Sequence, residues 1–294
     1  MCAAADAPAR RAVLGGPGLG RAARILACVP RRRVPVALSI AGSDSGGGAG
    51  IQADLKAFAR AGVHGATAIT AITVQNTVGV SAVQAVDTQI IAGQVRAVAE
   101  DLGIDVVKIG MLGDVATIET VAAALDALPA GTPIVHDPVM VAESGARLLE
   151  IDAVSALRSL ILPRATVITP NLAEARTLAG ADDALDGIEL ARALHALGPD
   201  YVVITGGHRD SATDLFFDGA TLIELPGARH ADGAAHGSGC THSSTLAARL
   251  ALGDAPLDAA RHARAVAADA VADGLRELGS GPGPVDVFGL ARPR

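Results

Sequence analysis

Apolar and polar positions follow two periods along the chain. Short aliphatic runs at 36–40, 66–73, 106–109, 134–136, 166–169 and 201–205 have the length and content of buried strands. Between them, apolar residues recur at helical spacing: Ile51, Leu55 and Phe58 ahead of Gly62, then 88–102, 115–128, 153–162 and 187–197. The stretch 214–217, an Asp218-Gly219 turn and 221–225 predict a small hairpin near 214–225, because Asp-Gly suits a two-residue turn. Helices follow to the end, the first over about 241–252.

Alternation of this kind predicts an α/β domain with a mostly parallel central sheet flanked by helices on both faces. Its ligand site is expected in loops beyond the carboxyl ends of the strands. No internal repeat or linker interrupts the stretch 34–279.

Composition agrees with one large domain built on aliphatic packing: half of the 294 residues are hydrophobic, with no Trp and one Tyr. The apolar runs fall far short of the roughly 20 residues of a bilayer-spanning helix. Residues 1–33 differ, with seven arginines against Asp6 in an Ala/Gly/Pro background. Scattered arginines and prolines do not make a secretory signal. A disordered extension ahead of a folded body at 34–294 is expected first, a mis-assigned start second and a nucleic-acid tether third. Taking that local +6 from the chain's −7 leaves −13 on the body, which repels nucleic acid and anionic lipid. Any phosphate-bearing ligand must then be held by backbone N–H groups, metal ions and a few side chains. Cys2 and Cys28 lie in the extension and Cys240 stands alone in the body, which excludes a disulfide framework and agrees with a cytoplasmic setting.

Two glycine-rich turns carry candidate chemistry. The loop from Gly42 to Gly50 joins the first strand to the first helix; it lacks the Lys-Ser/Thr ending of a phosphate-binding Walker loop, and a plain flexible turn explains it equally. Asp54 falls in the helical turn that follows, where a carboxylate also favours the helix dipole. The turn His236-Gly237-Ser238-Gly239-Cys240-Thr241 is more specific: glycines beside Ser238 let successive N–H groups face one anion at a helix N-terminus. Cys240 at that end is expected to have a thiol pKa below the free value of about 8.5. Transfer of a phosphoryl group to a hydroxyl needs charge neutralisation and a group beside the attacking oxygen. The N–H groups from Gly237 to Cys240 could supply the first, and Cys240, as base or hydrogen-bond acceptor, the second. Asn171 and Glu174, three residues apart, fit a capping box; equally, Glu174 could organise triphosphate oxygens through Mg²⁺ or its water shell, with Asp137 the other Mg²⁺ candidate.

Seven ordered stretches together resemble the ribokinase-like superfamily and, within it, the hydroxymethylpyrimidine/phosphomethylpyrimidine kinases of thiamine biosynthesis. They are Ala41 through Lys56, Thr73-Val74-Gln75-Asn76-Thr77, Lys108-Ile109-Gly110-Met111-Leu112, Asp137-Pro138-Val139-Met140, Thr169 through Ala175, Gly206-Gly207-His208 and His236 through Thr241. The resemblance implies a single ribokinase-like domain that uses ATP and Mg²⁺ to phosphorylate 4-amino-5-hydroxymethyl-2-methylpyrimidine and then its monophosphate, with a homodimer expected. It implies that Gln75 pairs with the pyrimidine edge, that Gly42, Asp54, Met111 and Val139 line the same pocket, and that Asn171, Glu174 and Thr205 serve the nucleotide. Cys240 takes the place of an aspartate base found in sugar kinases of the superfamily. Two departures remove positive charge: Thr205 and Glu143 stand where relatives often carry lysine. Pyridoxal kinase of the same fold is the nearest alternative. A hydrolase pairing Cys240 with His236 or His242, and a non-catalytic binding protein, are the alternatives from other classes. His208, His236 and His242 match no zinc spacing.

Overall fold

The computed structural model describes residues 34–142, 145–181, 185, 187–206, 212–228, 230 and 233–291. The 1–33 extension, Glu143, Gly207 and His208 lie outside the described residues. Eight strands form one sheet in the order β10-β9-β8-β7-β6-β5-β1-β2. They are β1 (Val36–Ala41), β2 (His64–Ile69), β5 (Val106–Ile109), β6 (Ile134–His136), β7 (Val167–Ile168), β8 (Tyr201–Ile204), β9 (Asp214–Phe217) and β10 (Leu222–Leu225). All neighbours from β2 to β8 are parallel, and β9 and β10 are antiparallel additions at one edge. A separate antiparallel pair, β3 (Ala71–Asn76) and β4 (Gly79–Ala85), stands apart from this sheet.

Period-two alternation sends the strand side chains to two cores. Leu38, Ile40, Val107, Ile109, Ile168 and Val202 face α2 (Thr88–Asp101), α3 (Val115–Asp126), α4 (Ala153–Ala156), α5 (Leu172–Ala179) and α6 (Gly187–His195). Ala37, Val106, Val135, Val167 and Val203 face α1 (Gly50–Ala61), α7 (Ser238–Ala251) and α8 (Pro256–Ala272). Alanines 247, 248, 259, 260 and 263, each fully buried, form the seam that lets α7 and α8 pack closely. On this second face the alternation would next deliver Ser39, Lys108 and Asp137, all buried and all polar. No helix among the described residues is long and apolar enough to cross a membrane.

Four local expectations are corrected. The run 66–73 is two strands, not one: Thr70 lies between them, its hydroxyl donating to Met111 O at 2.7 Å and its carbonyl accepting from Val86 N–H at 2.9 Å. The span 153–162 starts as α4, continues as a π turn (Leu157–Ile161) and ends as a 3-10 turn (Leu162–Arg164), because Pro163 cannot donate to the helical ladder. The 214–225 hairpin has a four-residue loop, closed by Asp218 Oδ1 accepting from Ala220 N–H at 2.9 Å and Thr221 N–H at 2.6 Å. Helix α7 begins at Ser238, not Thr241, which puts Ser238, Gly239 and Cys240 in its first turn.

Candidate active site

The strand order reverses at β1, whose neighbours β2 and β5 lie on opposite sides of it. The crevice beyond the carboxyl ends at such a switch point is where open α/β sheets hold ligands. A cavity of about 630 Å³ occupies it, lined by Gly42 after β1, Gly110 and Met111 after β5, Asp137 after β6, Thr169 and Asn171 after β7 and Thr205 after β8. Backbone bonds extend the sheet ladder past the strand ends and fix these residues: Gly110 N–H to Ile40 O, Asp137 N–H to Ile109 O, Thr169 N–H to His136 O and Thr205 N–H to Pro170 O, all 2.8–2.9 Å. The β3–β4 pair brings Gln75 and Thr73 to the wall, and α7 brings Gly237, Ser238, Gly239 and Cys240. Val139 and Glu174 also line it.

Asp54 is a correction: it is absent from the cavity wall and fully buried. Its carboxylate accepts from Ser39 Oγ and Ser244 Oγ at 2.6 Å each and from Lys108 Nζ at 2.9 Å. Being in α1 over the polar end of β1, it meets the second sheet face and not the ligand space. Lys108, also fully buried, borders the cavity and lies 3.8 Å from Asp137 Oδ2. Desolvation works against its charge, but Asp54, Cys240 and Asp137 outweigh it and raise its pKa, so the ammonium stays charged.

The two glycine loops are joined by Asp44. This carboxylate, 1% exposed, accepts from the N–H groups of Gly46, Gly48 and Ala49 at 2.8, 3.0 and 2.8 Å and from His236 Nε2 at 2.9 Å. Burial alone would raise its pKa; the bond from His236 and the N–H groups of Ala49 and Gly46 prevail and hold it below the usual carboxylate value. Asp44 therefore holds the chain just ahead of α1 while tying its loop to the residue preceding Gly237. Gly237 has φ 84°, and a Cβ there would fall 1.7 Å from Gly48 O, so the two loops touch backbone to backbone.

In the turn from Gly237 to Cys240, the first-turn N–H groups of Gly239 and Cys240 have no intrahelical carbonyl to bond. That of Ser238 is already committed to Ala235 O at 2.9 Å, so the turn offers fewer donors than four successive N–H groups. Cys240 reverses the expected pKa direction. Desolvation pushes its thiol up to about 12; Lys108 pulls it down, Asp137 and Asp54 push it up further, and the Gly50 N–H pulls it down. The neutral thiol is thus the resting form. Neither histidine bonds to it: His236 is paired with Asp44, and His242 Nε2 faces Asp214 Oδ2 at 3.5 Å. We expect iodoacetamide at pH 7.5 to alkylate Cys240 about 10²- to 10³-fold more slowly than a simple thiol of pKa about 8.5. Its rate should climb through pH 11, where the simple thiol has already levelled off. Mass mapping of the labelled cysteine checks this; a rate that levels off below pH 9 contradicts it.

Asn171 and Glu174 form the complete capping box: Glu174 N–H donates to Asn171 Oδ1 at 3.0 Å and Asn171 N–H to Glu174 Oε2 at 2.9 Å. The box also aims Glu174 at the cavity. Burial and then Asp137 raise the Glu174 pKa to about 8, against bonds from the N–H groups of Asn171 and Met140. Burial likewise raises the Asp137 pKa, against Lys108 and a 2.9 Å bond from Ser243 Oγ. A pair of buried oxygen-donor carboxylates, one of which disfavours the other's ionisation, suits a hard divalent cation. Among the described residues no group of three or more His, Cys, Asp or Glu side chains could hold a metal ion. At the other end of the cavity, Asp214 accepts from Gly206 N–H at 2.8 Å and lies 3.6 Å from Arg264 Nε.

Asp44, Lys108, Asp214 and Arg264 are site residues to which sequence reasoning gave no role. The available signal for Lys108 was a charge inside an otherwise aliphatic strand, Val106-Val107-Lys108-Ile109.

Residues 44–286 match the family model described as phosphomethylpyrimidine kinase. A hydroxymethylpyrimidine/phosphomethylpyrimidine kinase of Rhizobium meliloti is 52% identical over 261 residues, 86% of this chain and 97% of that protein. Among solved structures, an ADP complex of Bacillus subtilis pyridoxal kinase superposes with a TM-score of 0.79 at 38% identity, covering 87% of this chain and 98% of the other. Phosphomethylpyrimidine kinase from Clostridium difficile superposes at 0.69 with 37% identity, covering 79% and 96%.

Proposed function

We propose that this chain, which belongs to the phosphomethylpyrimidine kinase family, is an ATP-dependent kinase that phosphorylates 4-amino-5-hydroxymethyl-2-methylpyrimidine and then its monophosphate, giving the diphosphate for thiamine biosynthesis. The observation that carries this reading is the switch-point cavity where the Gly237–Cys240 turn abuts the Gly42–Gly50 loop.

In this reading Gln75 presents an amide with both donor and acceptor to the amino and ring-nitrogen edge of the pyrimidine. Met111 and Val139 supply apolar walls, and Gly42 keeps the wall open where a side chain would strike Met111. The N–H groups of Gly239 and Cys240 take the transferring phosphoryl oxygens at the positive end of α7. Cys240, with its thiol neutral, positions the attacking hydroxyl, in keeping with a reaction that rests on alignment and charge stabilisation. The nucleotide occupies the half lined by Asn171, Thr205, Asp214 and Arg264. Glu174 and Asp137 would hold Mg²⁺ through water, and the ion would supply neutralisation of phosphate charge.

Incubation with Mg-ATP and each alcohol, followed by mass analysis, tests this reading. The pyrimidine should gain one and then two phosphoryl groups, each with release of ADP. Strong turnover of pyridoxal with none of the pyrimidine would establish the second reading, which the similarity to the Bacillus subtilis pyridoxal kinase favours. Absence of the doubly phosphorylated product would remove the second step.

A further inference from the structure

The polar residues beneath the anion-binding turn form a closed clamp around one cation. Lys108 projects from β5 onto the face covered by α1 and α7. Asp54 from α1 takes its ammonium at 2.9 Å, and Asp137 beyond β6 lies at 3.8 Å. Successive serines of α7 bond to these same two acids: Ser243 Oγ to Asp137 Oδ2 at 2.9 Å and Ser244 Oγ to Asp54 Oδ1 at 2.6 Å. Ser39 of β1 donates the remaining bond to Asp54 at 2.6 Å. Ser243 also reaches back to Gly239 O at 3.0 Å and Cys240 O at 3.2 Å, joining the clamp to the turn itself.

Two further observations separate this cluster from an ordinary buried ion pair. Lys108 has three donors and, among the described residues, makes one hydrogen bond, since Asp137 is beyond bonding distance. Lys108 and Arg264 are the lysine and arginine side chains among the described residues that line the cavity, and Arg264 already donates to Ala212 O and faces Asp214. The body of the chain is strongly acidic, so a phosphate arriving beside Cys240 meets little other fixed positive charge.

We propose that Lys108 is a positioning residue for phosphoryl transfer: through Asp54, Asp137, Ser243 and Ser244 its ammonium fixes the first turn of α7, and its charge offsets that of the phosphoryl group held there. This rests on the kinase reading. Fixed charge that need not reorganise as the reaction proceeds is the arrangement that stabilises a transition state more than a ground state. The effect therefore belongs in kcat more than in nucleotide binding.

The test begins with wild type, whose ATP-dependent phosphorylation of the pyrimidine alcohol must be measured first. If wild type phosphorylates neither alcohol, the kinase reading fails and the proposal, which rests on it, is overturned with it. Lys108→Met should lower kcat at least about 100-fold while the dissociation constant for Mg-ADP stays within about threefold. Its melting temperature will also fall, because Asp54 loses its buried partner. Lys108→Met with Asp54→Asn removes both charges, and should recover most of the melting temperature while kcat stays at least about 100-fold down. Recovery of kcat together with stability would show that Lys108 only balances Asp54, and overturns the proposal. So would an unchanged kcat with weakened Mg-ADP binding. If neither Lys108 variant folds, Ser243→Ala with Ser244→Ala decides the matter by cutting the ties while keeping the ammonium. A fall in kcat of about tenfold or more at unaltered Mg-ADP affinity supports the clamp, and wild-type kcat overturns it.

Discussion

Cys240→Ala should lower kcat for phosphorylation of the pyrimidine alcohol by about 10²- to 10⁴-fold, with Mg-ADP affinity within about threefold of wild type. The size follows from where the thiol sits. It lines the cavity at the first turn of α7, against the Gly50 N–H and above Lys108, where the attacking oxygen must meet the phosphoryl group. Removing Sγ leaves the backbone donors of Gly239 and Cys240 in place, so the nucleotide is still bound. What is lost is the group that aligns the hydroxyl, and a misplacement of about 1 Å is itself worth about 100-fold. A neutral thiol also distinguishes positioning from deprotonation. Cys240→Ser keeps a hydrogen-bonding group of similar reach and should recover a measurable part of the lost kcat. Steady-state kinetics of the two variants beside calorimetric titration with Mg-ADP is the measurement; unchanged turnover in the alanine variant would falsify the assigned role.

Gly237→Ala is expected to be comparably damaging for a different reason. The residue holds φ 84°, where a non-glycine residue costs about 1–2 kcal/mol. Its new Cβ would sit 1.7 Å from Gly48 O. That carbonyl cannot readily withdraw, because the N–H groups of Gly48 and its neighbour Ala49 are both held by Asp44. The turn must then separate from the Gly42–Gly50 loop, taking the Gly239 and Cys240 donors with it. We expect at least a 100-fold loss of kcat/KM and a fall in melting temperature of about 3 °C or more. Gly239→Ala is the stability control: a Cβ there meets nothing within 4 Å, so the melting temperature should hold. Equal thermal loss in both variants would mean that loop contact at Gly237 is not what the glycine provides.

The α/β architecture was legible because each element had a local signature. Aliphatic runs marked β1, β5, β6 and β8, and helical spacing before Gly62 marked α1. Strand β4 was not legible: Gly79-Val80-Ser81-Ala82-Val83-Gln84-Ala85 buries neither face fully, so its sequence carries no alternation to detect. The break at Thr70 was hidden for another reason: Thr67, Thr70 and Thr73 recur alike through the run, and the interruption at Thr70 comes from contacts with Met111 and Val86. For the cavity, residues after strand ends could be placed by rule, and the structure brings Gly42, Gln75, Met111, Val139, Asn171, Glu174, Thr205 and Cys240 to one cavity. Asp44 escaped because its partner, His236, is 192 residues away. Asp54 was misplaced because the resemblance carried its position in the loop-to-helix stretch into the pocket, whereas its side chain is covered by Ser39, Lys108 and Ser244. The Cys240 pKa went the other way because a helix end attracts the thiolate only as far as desolvation allows.

The alanine seam between α7 and α8 sets where this protein can tolerate change. Alanines 247, 248, 259, 260 and 263 have no exposed surface, and cores filled this tightly do not absorb extra methylenes without shifting backbone. Helix α7 runs without interruption from Ser238 to Ala251, so a shift at Ala247 reaches Cys240, seven residues and about 10 Å along the axis. Mutational tolerance is therefore low along a line of the smallest side chains, none of which lines the cavity. Sequence drift there would be read out as lost catalysis before lost folding.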